Sequence, residues 1–336
     1  MKFANEQQPN TFIMIRLLKC SVNNNLTLVL LTVLFTAILL QSCKNDKKQD
    51  QSKPVEVEKE KVVEIVTESM DFQMPDTITS GWNTFRYINK SPQVHFFLVE
   101  KYPEGKTIAD AQAEVVPYFS SGMNFINEGD NEKAMDEFGK LPKWYQDVEF
   151  SGGSGLVSAG KTCETTLELQ PGYYIVECYV KMSNGEFHTT MGMIDEFVVS
   201  EAQSGIIEPT ADYAIELSRE NGITFKDSIP SGKHTFSVTF NDQVQHENFV
   251  GHDINLVRLN EQSDLATLES WMNWANPKGL IEPAPENFTF LGGVNDMPAG
   301  SHAYFTETLK PGTYALISEV PNTRSKNMLK TFLITD

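Results

Sequence analysis

The chain repeats itself. Gly152-Gly153, Ala159-Gly160, Leu169, Pro171-Gly172, Tyr174 and Val180 recur without gaps as Gly292-Gly293, Ala299-Gly300, Leu309, Pro311-Gly312, Tyr314 and Val320, 140 residues later. An earlier block recurs at an offset of 151: Asp76, Ile78, Ser80-Gly81 and Thr84-Phe85 return as Asp227, Ile229, Ser231-Gly232 and Thr235-Phe236. The chain therefore holds two copies of one domain, the second about eleven residues shorter in its middle. Whatever fold the first copy adopts, the second must also accept. Each copy is thus a control for residues found only in the other.

Within each copy, the opening Asp-x-Ile-x-Ser-Gly leads into runs rich in aromatic and β-branched residues, which favour strands. The pattern predicts strands over Thr84–Asn89 and Val94–Val99 in copy one, and over Thr235–Phe240 and Ile254–Leu259 in copy two. A helical excursion follows. Thr107 and Asp110 fit a capping box, and Ile108, Ala111, Val115 and Phe119 line one helical face. Copy two offers Leu265, Leu268 and Met272 after Ser263-Asp264. Met123, Met135, Trp144, Trp271 and Trp274 lie in these excursions and read as core or cover for the strands. Leu167–Leu169 and Tyr174–Val176 flank Gln170-Pro171-Gly172 and predict a hairpin, and Val198-Val199 and Leu333-Ile334 close the two copies. Short strands, turn signals and one helical excursion per copy read as an all-β chain of two Greek-key β-sandwiches. The domains run over 62–201 and 210–336, with Gln203-Ser204-Gly205 and Pro209 breaking the pattern between them.

The start of the chain is of a different kind. Leu26 to Leu40 is an apolar run broken only by Thr27, Thr32 and Thr36. It is shorter than the roughly 20 residues of a membrane-spanning helix and suits the apolar centre of a secretory signal. It ends in Leu40-Gln41-Ser42-Cys43, which resembles a bacterial lipobox, although Gln41 is unusual there. The resemblance implies cleavage before Cys43 and lipidation of its thiol, with residues 1–43 as a lipoprotein signal peptide. An uncleaved signal anchor is the competing reading. Met14, with Arg16 and Lys19 close behind it, would make a more ordinary start than Met1. Residues 44–61 are almost all polar and read as a disordered tether. Loss of residues 1–43 removes Lys2, Glu6, Arg16 and Lys19 and moves the formal charge from −18 to −20. A chain so acidic is repelled by nucleic acid and by anionic lipid. The membrane would instead be reached through the lipid on Cys43, which places the protein in a bacterial cell envelope, at the outer membrane or on a periplasmic face.

Copy one carries a constellation that copy two lacks. Its Pro-Gly turn opens Gly172-Tyr-Tyr174-Ile-Val-Glu-Cys178, and His188 and Met193 follow; upstream, Asn89 precedes His95 by six residues. This order resembles the cupredoxins, the family of plastocyanin and other blue-copper proteins. The resemblance covers roughly 62–200 and, more faintly, 210–336. It implies a copper site in domain one, one ion per chain, held by His95, Cys178 and His188 with Met193 as axial ligand. Met191 is a second candidate for the axis. A thiolate, two imidazoles and a weak thioether are the donor set of a type 1 copper centre. Electron transfer to a redox protein partner, or copper holding, would follow. In copy two Cys178 maps to Ser318 and Met193 to Met328; His188 has no counterpart, and either His246 or His252 answers to His95.

A second reading is metal-free. Cys163 and Cys178 would face each other across the predicted hairpin, and a disulfide between them would make the protein a surface binding or assembly module. Enzyme motifs are missing: the six histidines include no His-x-His pair, and no phosphate loop, zinc signature or nucleophile elbow occurs. The expectation is a protein that is not an enzyme.

Overall fold

The repeated Ser-Gly is where a strand leaves one sheet for another. In the computed structural model, which describes residues 61–225, 228–247 and 250–336, β2 spans Thr77–Asn89. Its first residues pair in parallel with β7 (Ile194–Gln203), with Ile78 opposite Val199. From Gly81 onward it pairs antiparallel with β5 (Thr162–Leu169). Gly81 turns the strand at φ +85°, a left-handed conformation that glycine adopts without strain. Copy two makes the same turn with two shorter strands. There β10 (Ser228–Pro230) pairs in parallel with β16 (Leu329–Thr335), Ile229 opposite Ile334, and β11 (Gly232–Phe240) continues in the other sheet. The signal peptide over 1–43 with Cys43, the tether as far as residue 60, and Asp227 of the repeat lie outside the described residues.

The described chain is all-β and builds two β-sandwiches, one from each copy. In copy one, β1 (Val62–Thr67), β2 and β5 form one layer. The other layer runs β4 (Glu149–Gly153), β3 (Leu98–Lys101), β6 (Gly172–Glu177), β7 and the start of β2. In copy two, β9 (Gly222–Phe225), β8 (Tyr213–Ser218), β11 and β14 (His302–Leu309) face a layer of β13 (Phe288–Val294), β12 (Ile254–Leu259), β15 (Gly312–Ile317), β16 and β10. Aromatic side chains fill both sandwiches: Phe85, Tyr174 and Phe197 in the first, Phe236, Tyr314 and Phe332 in the second. The stacked pair Tyr174–Phe197, with centroids 5.3 Å apart, has its equivalent in Tyr314–Phe332 at 5.7 Å.

The predicted hairpin at Pro171-Gly172 does not form. β5 pairs with β2 and β14, whereas β6 pairs with β3 and β7. The turn is an arch that carries the chain from one layer to the other. Tyr174 holds it: its hydroxyl donates to the Gln170 carbonyl at 2.8 Å, as Tyr314 does to Lys310 at 2.9 Å. This is the tyrosine corner of β-sandwiches, and it explains why Pro-Gly-x-Tyr is kept in both copies.

The helical excursion is larger than its periodicity predicts. Copy one has α1 (Ile108–Glu114), α2 (Val116–Glu128) and α3 (Asn131–Phe138); copy two has α4 (Leu265–Met272). The capping box is present, with the Thr107 amide donating to Asp110. The helix is interrupted at Val115, whose φ of −117° is displaced from helical values two residues before Pro117, so the single predicted face is split between two helices. Met123 and Trp271 are buried, whereas Met135 is exposed. No helix among the described residues is long and apolar enough to cross a membrane.

The two copies meet through equivalent edges. β5 and β14 occupy the same place in the repeat and pair antiparallel, with Thr165 opposite its own counterpart Phe305. The Gly152 amide donates to the Asp296 carbonyl at 2.9 Å, and the equivalent Gly292 amide donates to the Leu156 carbonyl at 2.8 Å. This reciprocity is the mark of an isologous, two-fold interface, here built within one chain.

Candidate metal centre

His95 precedes β3 and is fixed by its backbone. Its amide and carbonyl exchange hydrogen bonds with Val157 at 3.2 and 2.7 Å. Asn89, fully buried at the end of β2, ties the intervening loop: its amide group donates to the Gln93 and Val157 carbonyls, and its oxygen accepts from Ser91. Cys178 follows β6, and its amide bonds the Met193 carbonyl. His188 opens a short 3₁₀ turn, His188–Met191; its amide bonds Val180, and its carbonyl accepts from the Met193 amide. Sheet register and these loop hydrogen bonds hold the three positions.

The structure brings His95, Cys178 and His188 together. Cys178 Sγ is 3.8 Å from His95 Nδ1 and 3.7 Å from His188 Nδ1, and the two ring nitrogens are 3.1 Å apart. A point equidistant from all three atoms lies about 2 Å from each, close to a metal–imidazole bond length. None of the three side chains is exposed. Burial, with the neighbouring His188, lowers His95 to about 3, and burial lowers His188 to about 4. Both rings are therefore neutral at ordinary pH and keep lone pairs to offer. Burial raises the Cys178 thiol to about 12; a cation at the centre would displace that proton, as thiolate ligation requires. The residues fit copper in number, type and spacing. Met193 is buried beside the centre in sequence and shares backbone hydrogen bonds with Cys178 and His188, while Met191 is half exposed.

The cysteines are not bridged. Cys163 and Cys178 are both free and buried. The disulfide expectation fails with the hairpin: Cys163 lies on β5 opposite Tyr87, in a layer that does not pair with β6.

Sequence reasoning missed Glu282. Its Oε1 lies 2.7 Å from His188 Nε2. The contact is short but off the line of an aligned ring hydrogen bond. Glu282 belongs to copy two, 94 residues away, and arrives because the ligand loop docks there. The Lys181 amide bonds Leu280, the Glu282 amide bonds the Lys181 carbonyl, and Lys181 Nζ donates to the Trp274 and Asn276 carbonyls. No local pattern announces such a contact.

The same register resolves copy two. Leu98 pairs with Gly153 and Glu177, and Asn255 pairs with Gly293 and Ile317. His252, three residues before Asn255, is thus the counterpart of His95, and His246 is not. Met328 donates to the Thr323 carbonyl as Met193 does to His188. Position 188 therefore has a counterpart after all, Thr323, and the shortening falls between Ser318 and Thr323.

No protein-family model and no curated protein matches the sequence. Solved structures do. An auracyanin from Roseiflexus castenholzii matches 42% of this chain over 97% of its own, at 19% identity and a TM-score of 0.26. A multicopper oxidase matches 81% of this chain and 87% of its own at 9% identity and a TM-score of 0.20. A copper-containing nitrite reductase from Thermus scotoductus SA-01 matches 82% of this chain and 61% of its own at 11% identity and a TM-score of 0.20. The expectation of a protein that is not an enzyme is corrected by this finding, since the oxidase and the reductase among the similar structures are enzymes.

Proposed function

We propose that this chain is a lipid-anchored envelope protein that holds one copper ion in its first domain and passes single electrons to a redox protein partner. The observation that carries the reading is the convergence of one buried sulfur and two buried, neutral imidazole nitrogens. Bound copper supplies a one-electron couple between its cuprous and cupric states. The chain does the rest. Asn89 and the Val157 bridge hold His95, the sheet holds Cys178, and the docked loop holds His188 against Glu282. A carboxylate that accepts from the far nitrogen of a ligand histidine orients the ring and raises its basicity, and Glu282 is close enough to do so once the ring aligns. Met193 is the proposed axial ligand. Full burial of both imidazoles closes the site to incoming ligands, which favours electron transfer over copper hand-off. The lipid on Cys43 would keep the protein at a bacterial membrane, at the outer membrane or on a periplasmic face.

Metal analysis of the purified protein tests the centre. One copper per chain is expected, with the intense visible absorption of a thiolate–copper bond. Cys178→Ser and His188→Ala should each abolish both, and Met193→Leu should retain copper and shift the reduction potential, because the axial bond is weak. Copper that binds without the absorption, or that survives Cys178→Ser, would remove the reading. Mass spectrometry of the mature N-terminus tests the anchor: acylated Cys43 is expected, and Cys43→Ala should leave the precursor uncleaved.

A further inference from the structure

A second site lies beside the metal centre. A cavity of about 630 Å³ is walled by both copies, and its lining includes five carboxylates: Glu100, Glu177, Asp253, Asp296 and Glu319. Ligand sites typically enclose roughly 300–1,000 Å³. The rest of the wall is strongly aromatic, with Tyr102, Phe119, Tyr145, Phe187 and Trp274 among its residues.

The carboxylates are not equally satisfied. Asp253 accepts from the Ser318 hydroxyl, the Glu319 amide and the Asn255 side chain, so it is fully engaged in the fold. Asp296 accepts from Gln243, and Glu319 from the Tyr179 hydroxyl. Glu100 differs. It is 2% exposed and lines the cavity; its carboxyl lies against Tyr102 and Glu177, yet its Oε1 has no hydrogen-bond partner among the described residues. A buried polar atom without a partner is costly, and a ligand in the cavity would supply one. Burial and neighbouring acids push Asp296 up to about 8 and hold Glu100 and Glu319 well above the usual carboxylate range. The opposite charge acting on Glu319 is that of Lys181, whose ammonium is already on two carbonyls; a cation in the cavity would favour the ionised form of all three acids.

We propose that this cavity binds an organic cation, an alkylammonium whose charged head lies among Glu100, Asp296 and Glu319 and whose apolar body lies against the aromatic wall. A metal ion fits less well. The group of His, Cys, Asp and Glu atoms gathered closely enough for a metal among the described residues is His95, Cys178 and His188, and the cavity carboxylates do not form another. Spread acids and aromatic faces suit a larger, softer cation. The inference does not depend on copper at the neighbouring centre.

Calorimetric titration of the full chain with n-hexylammonium, hexan-1-ol, hexanoate and calcium chloride tests it, at about 0.3 M salt so that attraction to the acidic surface is screened. One hexylammonium per chain is expected, bound about tenfold more tightly than the uncharged alcohol, with no binding of hexanoate. Glu100→Gln and Glu319→Gln, which keep side-chain volume, should weaken hexylammonium at least threefold and leave hexanol unchanged. Equal binding of alcohol and ammonium, no binding of ammonium, or stoichiometric calcium in its place would overturn the proposal. The comparison of ligands on the unaltered protein stands even if a variant fails to fold.

Discussion

Cys178 and Ser318 occupy one position in the two copies, each with its amide on the carbonyl of an equivalent methionine. The sulfur faces two imidazoles, whereas the hydroxyl donates to buried Asp253 at 2.6 Å. Ser318→Ala should leave copper content unchanged and lower stability by about 1–3 kcal/mol, because a buried acceptor loses a donor; the urea midpoint measures this. Asp296 allows a second prediction. Its folded-state value, about 8, is raised from 3.8, first by burial and then by Asp253. Its contribution to stability is complete below about pH 4 and is lost as pH rises through 8. His95 and His188, lowered from 6.5, work in the opposite direction and have dropped out above pH 6.5. Lys181, lowered to about 8, adds stability only as pH rises beyond that value, and Glu177, raised to about 7, acts with Asp296. The melting temperature of metal-free protein should therefore fall between pH 6.5 and 8, and Asp296→Asn should flatten that fall. A variant with an unchanged slope would assign the effect to Glu100, Glu319 and Glu177, which burial also raises.

At the scale of elements, the repeated Gly-Gly is a steric requirement. Gly153 has φ +150°, and a Cβ there would overlap the Phe97 carbonyl; Gly293 has φ +143° and would overlap that of Ile254. Strand β4 can approach β3 only without a side chain at this point. Gly153→Ala should destabilise the fold by about 3 kcal/mol or more, and it should also weaken copper binding, because Phe97 is two residues from His95. Thermal melting and a competitive copper titration read the two effects separately. Such elements were largely legible in the sequence. The strand Ile254–Leu259 and the helix from Leu265 to Met272 lie where periodicity puts them, and the spacing from Cys178 to Met193 marks a ligand loop because those residues are neighbours in the chain. The Pro171-Gly172 turn was not legible, since alternating strands on either side of a turn look alike whether they pair with each other or cross between layers. Nor was Glu282, whose approach to His188 exists only once the ligand loop has docked on copy two.

At the scale of the whole molecule, the described residues form an internal dimer, and its interface braces the proposed metal centre. The paired edges β5 and β14 carry one layer across both copies, and the reciprocal bonds of Gly152 and Gly292 lie beside them. Copy two lacks counterparts of Cys178 and His188 but braces the loop that carries His188, through Leu280, Trp274 and Asn276 on Lys181. Residues 62–201 expressed alone would expose the β5 edge, and an unpaired edge strand seeks a partner. Because Thr165 lies opposite its own equivalent in the intact chain, a second β5 can take the place of β14 with the same antiparallel register. The isolated copy should therefore dimerise, which light scattering would detect. It should also bind copper more weakly than the full chain, since neither protomer supplies Glu282. A monomer with undiminished copper affinity would show that the first copy is complete without the second.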